Sequence, residues 1–149
     1  MSSDNVLIKI KVENGGALPM YASSGASGAD VRAAIESDIV LLPGQYRAIP
    51  TKLCLDIPEG YEVQVRPRSG LALKEGITVL NSPGTIDHDY RGELKIILIN
   101  FSEIPFTITH GMRIAQLVVA PVLQARFEET EVVSTTERGT NGFGSSGLL

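Results

Sequence analysis

The chain has 149 residues, of which 43% are hydrophobic, and a formal net charge of −4 at pH 7. This length and apolar content suit one domain that buries a real hydrophobic core. The negative charge argues against non-specific nucleic-acid binding, which depends on a basic surface. No run approaches the roughly 18 apolar residues of a membrane-spanning helix. Because Met1–Val12 also lacks a signal peptide's apolar stretch, we expect a soluble protein with no nucleic-acid or membrane partner.

Cysteine and histidine usage narrows the class further. The only cysteine, Cys54, excludes an internal disulfide, and this fits a reducing, cytoplasmic compartment. Because Cys54 stands between Leu53 and Leu55, we expect its thiol to lie in the core. His88 and His110 lack the spacing of zinc ligands, and we expect structural or surface roles for both.

Short apolar runs separated by turn residues predict an all-β domain. Val6–Val12 alternates as an opening strand should, and another extended piece begins at Asp30. Asp30 is the one charged residue that its small neighbours leave uncovered. Ile39–Leu42 and Tyr46–Ile57 are predicted strands, separated by the turn at Pro43-Gly44.

A strand at Tyr61–Arg66 leads into a short helix. Leu71-Ala72-Leu73-Lys74 are good helix formers for about one turn. The guanidinium of Arg68 and the hydroxyl of Ser69 precede the helix, and together with its N–H groups they predict an anion-binding cradle. The alternative is that Ser69 only caps the turn.

The stretch Val79–Asn100 predicts a hairpin that carries a pocket. A turn closed by Pro83-Gly84 precedes a polar cluster, after which apolar residues recur at period two. The cluster places two carboxylates, a phenol ring and a guanidinium close together: Asp87, Asp89, Tyr90 and Arg91. The alternative is that both aspartates only bond to their own backbone in a turn.

Two more strands are predicted after this stretch, at Pro105–Thr109 and Met112–Val122. In the second, Arg113 and Gln116 interrupt an apolar run, and each needs a reason to be there. Gln124–Thr136 is rich in residues that favour strands and is predicted as one.

The Gly- and Ser-rich tail from Arg138 has two interpretations. It is either a disordered terminus or a lid. In a lid, backbone N–H groups, serine hydroxyls and Arg138 would bind phosphates while Phe143 stacked on a base.

Five motifs resemble, in order, those of the trimeric dUTPases. They are Ser27-Gly-Ala-Asp30-Val-Arg-Ala-Ala34, Pro67-Arg-Ser-Gly-Leu-Ala72, Asn81-Ser-Pro-Gly-Thr-Ile-Asp-His-Asp-Tyr-Arg-Gly-Glu93, Gly111-Met-Arg-Ile-Ala-Gln116 and Arg138–Gly147. The resemblance implies a distorted β jelly roll, the dUTPase-like β-clip, with one short helical turn. It assigns residues 1–133 to this domain and residues 134–149 to a flexible Gly-rich C-terminal lid. It also implies a homotrimer whose active sites are shared between subunits.

The resemblance further implies hydrolysis of dUTP to dUMP and pyrophosphate, assisted by Mg²⁺. In this family the reaction keeps uracil out of DNA and supplies dUMP for thymidylate synthesis. Asp87 would orient and deprotonate the attacking water, and Asp30 would hold Mg²⁺ indirectly, through a metal-bound water. The implied substrate-binding residues are Arg68, Ser69, Gly70, Asn81, Gly84, Thr85, Ile86, Tyr90, Lys95, Gln116, Arg138, Phe143, Gly144, Ser145 and Ser146.

Two alternatives stay open at this point. A dCTP deaminase shares the fold and parts of the motifs, but the Gly-Phe-Gly-Ser-Ser tail favours the nucleotidohydrolase. A non-enzymatic interaction protein is also compatible with a jelly roll, because a fold does not fix a function.

Overall fold

A computed structural model describes residues 5–148 and confirms the all-β prediction. Residues 1–4 and 149 lie outside the described part. The stretch Met1–Val12, the predicted domain 1–133 and the predicted lid 134–149 therefore each extend beyond it. Within residues 5–148 there are eleven strands and one short helix: β1 (Lys9–Val12), β2 (Met20–Tyr21), β3 (Ala29–Arg32), β4 (Ile39–Leu41), β5 (Tyr46–Asp56), β6 (Tyr61–Arg66), α1 (Ser69–Glu75), β7 (Ile77–Val79), β8 (Gly84–Ile86), β9 (Glu93–Asn100), β10 (Phe106–Ile108) and β11 (Arg113–Pro121). None of the described helical structure is long and apolar enough to cross a membrane.

The strands form two main sheets around one core. One sheet has the order β1-β5-β9-β7, the other β2-β3-β11-β6-β8, and β10 pairs with β4 as a small third sheet. All described pairings are antiparallel. Alternate side chains, such as Leu94, Ile96 and Leu98 of β9 and Val63 of β6, point into the core and are buried.

The same alternation moves Cys54 out of the core. Leu53 and Leu55 of β5 are buried, whereas Cys54 is half-buried on the opposite face of the strand. Its cross-strand neighbours are Lys11 of β1 and Glu93 of β9. The prediction of a core thiol is therefore wrong, because an apolar neighbour on each side in sequence places a strand residue on the other face.

The predicted hairpin over Val79–Asn100 is also wrong in detail. β7 and β9 pair with each other, with Ile77 opposite Asn100. The intervening β8 leaves their sheet and pairs with β6, where Gly84 lies opposite Val65. A Cβ atom on Gly84 would lie 3.1 Å from Cβ of Val65, so the small residue permits this close approach. The polar cluster consequently lies where the chain passes from one sheet to the other.

No strand forms over Gln124–Thr136, so that prediction is wrong as well. This segment has irregular structure and is exposed. Its apolar side chains Phe127, Val132 and Val133 and that of the preceding Leu123 are exposed as well. β-Propensity produces a strand only where a neighbouring strand accepts its hydrogen bonds. No described residue of the same chain pairs with this segment.

One fully buried amide joins three parts of the fold. The Asn100 side-chain Nδ2 donates to the carbonyl oxygens of Leu41, at 3.0 Å, and Ile104, at 2.8 Å. Its Oδ1 accepts hydrogen bonds from the backbone N–H of Ser102, at 2.8 Å, and from the Ser102 hydroxyl, at 2.7 Å. This amide thereby ties the end of β9 to β4 and to the turn before β10.

We expect Asn100→Ala to lower the free energy of unfolding by about 2–4 kcal/mol, because it leaves several buried polar groups without partners. The control Ser102→Ala removes only the hydroxyl and should cost about 1 kcal/mol. Urea denaturation at one fixed protein concentration measures both changes. Equal costs for the two variants would show that the Asn100 amide does not organise this corner of the fold.

Candidate functional site

A cavity of about 490 Å³ lies between β8, the loop that follows it and β9. Seven predicted site residues line it together: Asn81, Gly84, Thr85, Ile86, Asp87, Tyr90 and Lys95. Five further lining residues are not among the predicted site residues. Glu93 ends the third motif, and the other four look like ordinary strand residues in the sequence: Ala48, Val65, Leu94 and Ile97. The cavity therefore combines an apolar wall with a small set of polar groups, as in sites for small molecules.

Strand β8 contributes backbone groups as well as side chains. Among residues 5–148 it is the edge strand of its sheet and pairs only with β6. An edge strand presents unpaired N–H and C=O groups along its free side. Because all three β8 residues line the cavity, these groups are available to a ligand that has both hydrogen-bond donors and acceptors.

Tyr90 forms a fixed wall of the cavity. Its hydroxyl donates to the backbone carbonyl oxygen of Glu93 at 2.9 Å. A Cβ atom on Gly92 would lie 2.4 Å from the Tyr90 hydroxyl oxygen and 2.6 Å from Cζ. The ring therefore lies across Gly92, and only a residue without a side chain leaves room for it.

The aspartates of the loop after β8 do not hold the loop in place. The turn is closed by the backbone N–H of Tyr90, which donates to the carbonyl oxygen of Asp87 at 3.2 Å. Arg91 anchors the loop instead, through an ion pair with Asp56 at 2.9 Å and a hydrogen bond to the carbonyl of His88 at 2.5 Å. The carboxylate of Asp87 accepts no hydrogen bond from any described residue, so it is free to bind a ligand or a water molecule.

A second polar cluster surrounds Asp30. In the five-stranded sheet Asp30 of β3 lies opposite Gln116 of β11, which lies opposite Arg66 of β6, so the three share one face. Asp30 is only 6% exposed, because the side chains of Arg68 and Arg113 cover it. The cover comes from residues distant in sequence and not from the small neighbours of Asp30 along the chain.

The distances around Asp30 define an ionic cluster. Arg68 Nε lies 3.3 Å from Oδ1 and Arg113 Nη1 lies 3.4 Å from Oδ2. The Gln116 amide nitrogen donates to Oδ1 at 3.5 Å, and Arg68 Nη1 donates to the backbone carbonyl of Arg113 at 3.2 Å. Arg113 was not among the predicted site residues, although its place in an apolar run marked it as needing a reason.

Ser69 and Gly70 extend this cluster at the start of α1, and both are exposed. Arg68 is the N-cap residue of α1, and no side chain in the described part of the chain makes a capping hydrogen bond there. The alternative that Ser69 only caps the turn is therefore wrong, and its hydroxyl is available for another partner.

The tail residues lie apart from both groups. Arg138, Phe143, Gly144, Ser145 and Ser146 are exposed, and none of them lines the cavity. Arg138 Nε donates to the carbonyl oxygen of Asn141 at 2.8 Å, within the tail itself. Arg68, Ser69 and Gln116 do not line the cavity either. One chain thus holds three separate groups of predicted site residues.

The side chains that could bind a divalent cation indicate how such an ion would be held. Among residues 5–148 no three or more His, Cys, Asp or Glu side chains cluster as metal ligands. Asp30 already faces two guanidinium groups. These residues fit a Mg²⁺ ion that is held mainly by ligand oxygens and water and meets a protein carboxylate only through water.

Comparison with known proteins identifies the family. The family pattern of dUTPases matches residues 14–147. The chain belongs to the dUTPase family. The deoxyuridine 5'-triphosphate nucleotidohydrolase of Chlamydia pneumoniae is 60% identical over 138 residues, which cover 92% of this chain and 95% of the relative. The protein of the same name from Brucella melitensis biotype 2 is 56% identical over 143 residues, covering 95% and 91%.

Solved structures of dUTPases share the fold of this chain. A mutant dUTPase of Staphylococcus phage 80alpha superposes with a TM-score of 0.85 at 28% identity, covering 98% of this chain and 100% of that one. Another mutant of the phage enzyme, solved with dUpNHpp, has a TM-score of 0.82 at 26% identity and covers 95% and 99%. The predicted family and the jelly-roll-like fold are confirmed.

Packing at Gly28 provides a test of the Asp30 cluster. A Cβ atom there would lie 2.8 Å from Oε1 and 2.9 Å from Cβ of Gln116. We expect Gly28→Ala to lower the free energy of unfolding by about 1–3 kcal/mol, because the β carbon of Gln116 cannot move without its strand.

Gly70→Ala is the matched control for this change. Its new methyl group meets nothing within 4 Å, and in a helix the substitution should stabilise the protein by up to about 1 kcal/mol. Chemical denaturation at equal protein concentration compares the two variants. Equal stability would mean that Gln116 is not held against Gly28.

Proposed function

We propose that this chain hydrolyses dUTP to dUMP and pyrophosphate. The observation that carries the proposal is that one cavity unites a free strand edge, an amide, an aromatic wall and an unpaired carboxylate, those of β8, Asn81, Tyr90 and Asp87. Membership of the dUTPase family supports it independently.

The β8 side of the cavity suits uracil. Uracil offers alternating acceptors and a donor along one edge, and backbone N–H and C=O groups of β8 together with Asn81 match such a pattern. Cytosine would leave these groups unpaired, and a mismatch of this kind can discriminate by about 10⁴–10⁵. Thymine differs only by a methyl group, so steric closure has to exclude it.

The Tyr90 ring selects the sugar. Its hydroxyl is tied to the carbonyl of Glu93 and its ring lies across Gly92, so the wall cannot retreat without losing that bond. A deoxyribose packs flat against this ring. A 2′-hydroxyl finds no space there, which favours dUTP over UTP.

Asp87 positions the attacking water. Its unpaired carboxylate accepts hydrogen bonds from water, and it takes the proton as the water oxygen bonds to the α-phosphorus. The bond between the α-phosphorus and the α–β bridging oxygen breaks, and pyrophosphate leaves with that oxygen. Loose phosphoryl transition states need little basicity, so the placement of Asp87 matters more than its proton affinity.

The Asp30 cluster binds the phosphate chain. Arg68, Ser69, Gly70 and Gln116 supply the donors, and Asp30 would meet a Mg²⁺ ion through one of its waters. When bound, Mg²⁺ neutralises charge on the triphosphate oxygens. The tail residues Arg138, Phe143, Gly144, Ser145 and Ser146 then close over the nucleotide, and Lys95 completes the cavity wall.

We further infer a homotrimer whose sites are shared between subunits. In one chain the cavity, the Asp30 cluster and the tail are separate. The exposed apolar residues Leu123, Phe127, Val132 and Val133 form the kind of surface that marks a protein–protein interface. A threefold ring would bring the cavity of one subunit, the phosphate-binding residues of a second and the tail of a third together three times.

Pyrophosphate release from dUTP, dCTP, dTTP and UTP, measured side by side, tests the activity. We expect release from dUTP alone, and ammonia release from dCTP would instead identify a deaminase.

Asp87→Asn should keep dUpNHpp binding and lower kcat by about 10²–10⁴, the range for loss of a general base. The neighbouring Asp89 does not line the main cavity, so Asp89→Asn should stay within a few-fold of the parent. Near-normal turnover of Asp87→Asn would show that Asp87 is not the general base and serves only the turn.

Mixed trimers test the shared site. Chains with Asp87→Asn and chains truncated before Arg138 should each be inactive alone. If cavity and tail come from different subunits, co-refolding of equal amounts restores about one quarter of the sites, because each intact element is drawn half the time. If one chain supplied both, every site would stay defective. An inactive mixture that contains verified mixed trimers would contradict the proposal.

A further inference from the structure

The carboxylate of Asp30 has more cationic partners than its charge requires. It is only 6% exposed, and Arg68 and Arg113 approach it from two sides. One paired guanidinium would already compensate a buried carboxylate. With two guanidinium groups and one carboxylate, the three side chains together carry a net charge of +1. The cluster therefore retains a positive charge that its own members do not neutralise.

The geometry of Arg68 shows where this charge is available. Its Nε lies 3.3 Å from Oδ1 of Asp30, yet it makes no well-aligned hydrogen bond with any described residue. Its Nη1 donates to the carbonyl of Arg113, and its Nη2 donates to no residue between 5 and 148. The contact with Asp30 is thus electrostatic, and part of the guanidinium fork stays free. An unopposed Arg–Asp pair instead favours a bidentate arrangement that uses the whole fork.

Arg113 is what opposes that arrangement. Its Nη1 lies 3.4 Å from Oδ2 of Asp30, the oxygen that a bidentate pair with Arg68 would need. Strict strand alternation would send Arg113 to the face opposite Gln116, three residues away. A register shift between Arg113 and Ala115 prevents this, and Ile114 and Ala115 are both buried in succession. The β-bulge re-aims Arg113 towards Asp30.

We propose that Arg113 is a positioning residue that keeps the Arg68 fork open for phosphate by occupying Oδ2 of Asp30. The cluster then binds a polyphosphate through its own excess charge, even without a metal ion. This inference rests on the proposed function, which supplies a nucleoside triphosphate as the ligand. It adds to the water-mediated metal contact of Asp30 a second role, as the anchor for two arginines.

The test is binding of dUpNHpp to the full-length protein in excess EDTA, measured by calorimetry. Arg113→Met removes the charge but keeps an unbranched apolar stem, and we expect it to weaken metal-free binding by about 10–100-fold. Arg113→Lys keeps a cation without the planar fork and should lose about tenfold or less. The control Arg47→Met removes an exposed arginine of β5 and should change affinity less than twofold. If Asp30 and its neighbours act only through the metal, no Arg113 variant changes the metal-free affinity, and the inference fails.

A double-mutant cycle separates positioning from a direct contact with phosphate. If Arg113 acts through Asp30, Arg113→Met should have little further effect in a chain that already carries Asp30→Asn. An undiminished loss in that background would overturn the positioning role. Binding of deoxyuridine, which has no phosphate, should be unchanged in all variants that fold, and Arg113→Lys covers the case in which Arg113→Met does not fold. A parent protein that binds dUpNHpp in EDTA but releases no pyrophosphate from dUTP would refute the proposed function and leave this inference standing.

Discussion

The pairing of β11 between β3 and β6 is the interaction on which the candidate site depends. Strand β3 carries residues of the first sequence motif and β11 residues of the fourth, whereas β6 ends directly before the second. Only their antiparallel register places Asp30, Gln116 and Arg66 in one row. The same β6 then pairs with β8, whose residues line the cavity. A one-residue slip of β11 would move Gln116 to the opposite face and disperse the cluster. The five-stranded sheet therefore supports the domain and also determines which polar side chains lie together in the Asp30 cluster.

The positions of the charged side chains, and not the net charge of the chain, determine the electrostatics of the candidate site. The chain is acidic overall, with a net charge of −4, yet it has to bind a ligand with several negative charges. In the proposed site Arg68 and Arg113 are concentrated around one buried carboxylate, which holds them close together without cancelling both positive charges. Asp87, in contrast, is left without a partner among the described residues and can accept a water molecule. Two aspartates thus serve different purposes because their surroundings differ.

The distribution of these groups over one chain has a consequence for assembly. The cavity, the Asp30 cluster and the exposed tail are built from separate parts of the chain, and the segment before the tail exposes large apolar side chains. Exposed apolar surface of this kind is costly in water unless it is covered. Association of subunits would cover it and complete the site in one event. Stability and activity would then be coupled through the same contacts.

Much of the fold follows from local patterns in the sequence. Period-two alternation identifies β6 and β9 and which of their faces is buried, because the pleat of a strand is a local property. The motif residues of the cavity are also recognisable, since Asn81 to Glu93 form one short stretch whose turn and strand residues dictate a compact loop. The family, and with it the reaction, can be read from five such stretches.

Tertiary structure alone decided the features that depend on partners distant in the chain. The alternation of apolar residues does not show which sheet a strand joins. The sequence therefore predicts β8 within the hairpin Val79–Asn100, although β8 pairs with β6. A β-bulge forms only when two strands are aligned, so the sequence marks Arg113 as unusual in an apolar run but does not predict its contact with Asp30. The segment Gln124–Thr136 has strand-forming residues, but no strand among residues 5–148 pairs with it, and its structure is irregular. In each case the missing information was the identity of a contact partner, which hydrogen bonding and burial select only after the whole chain has folded.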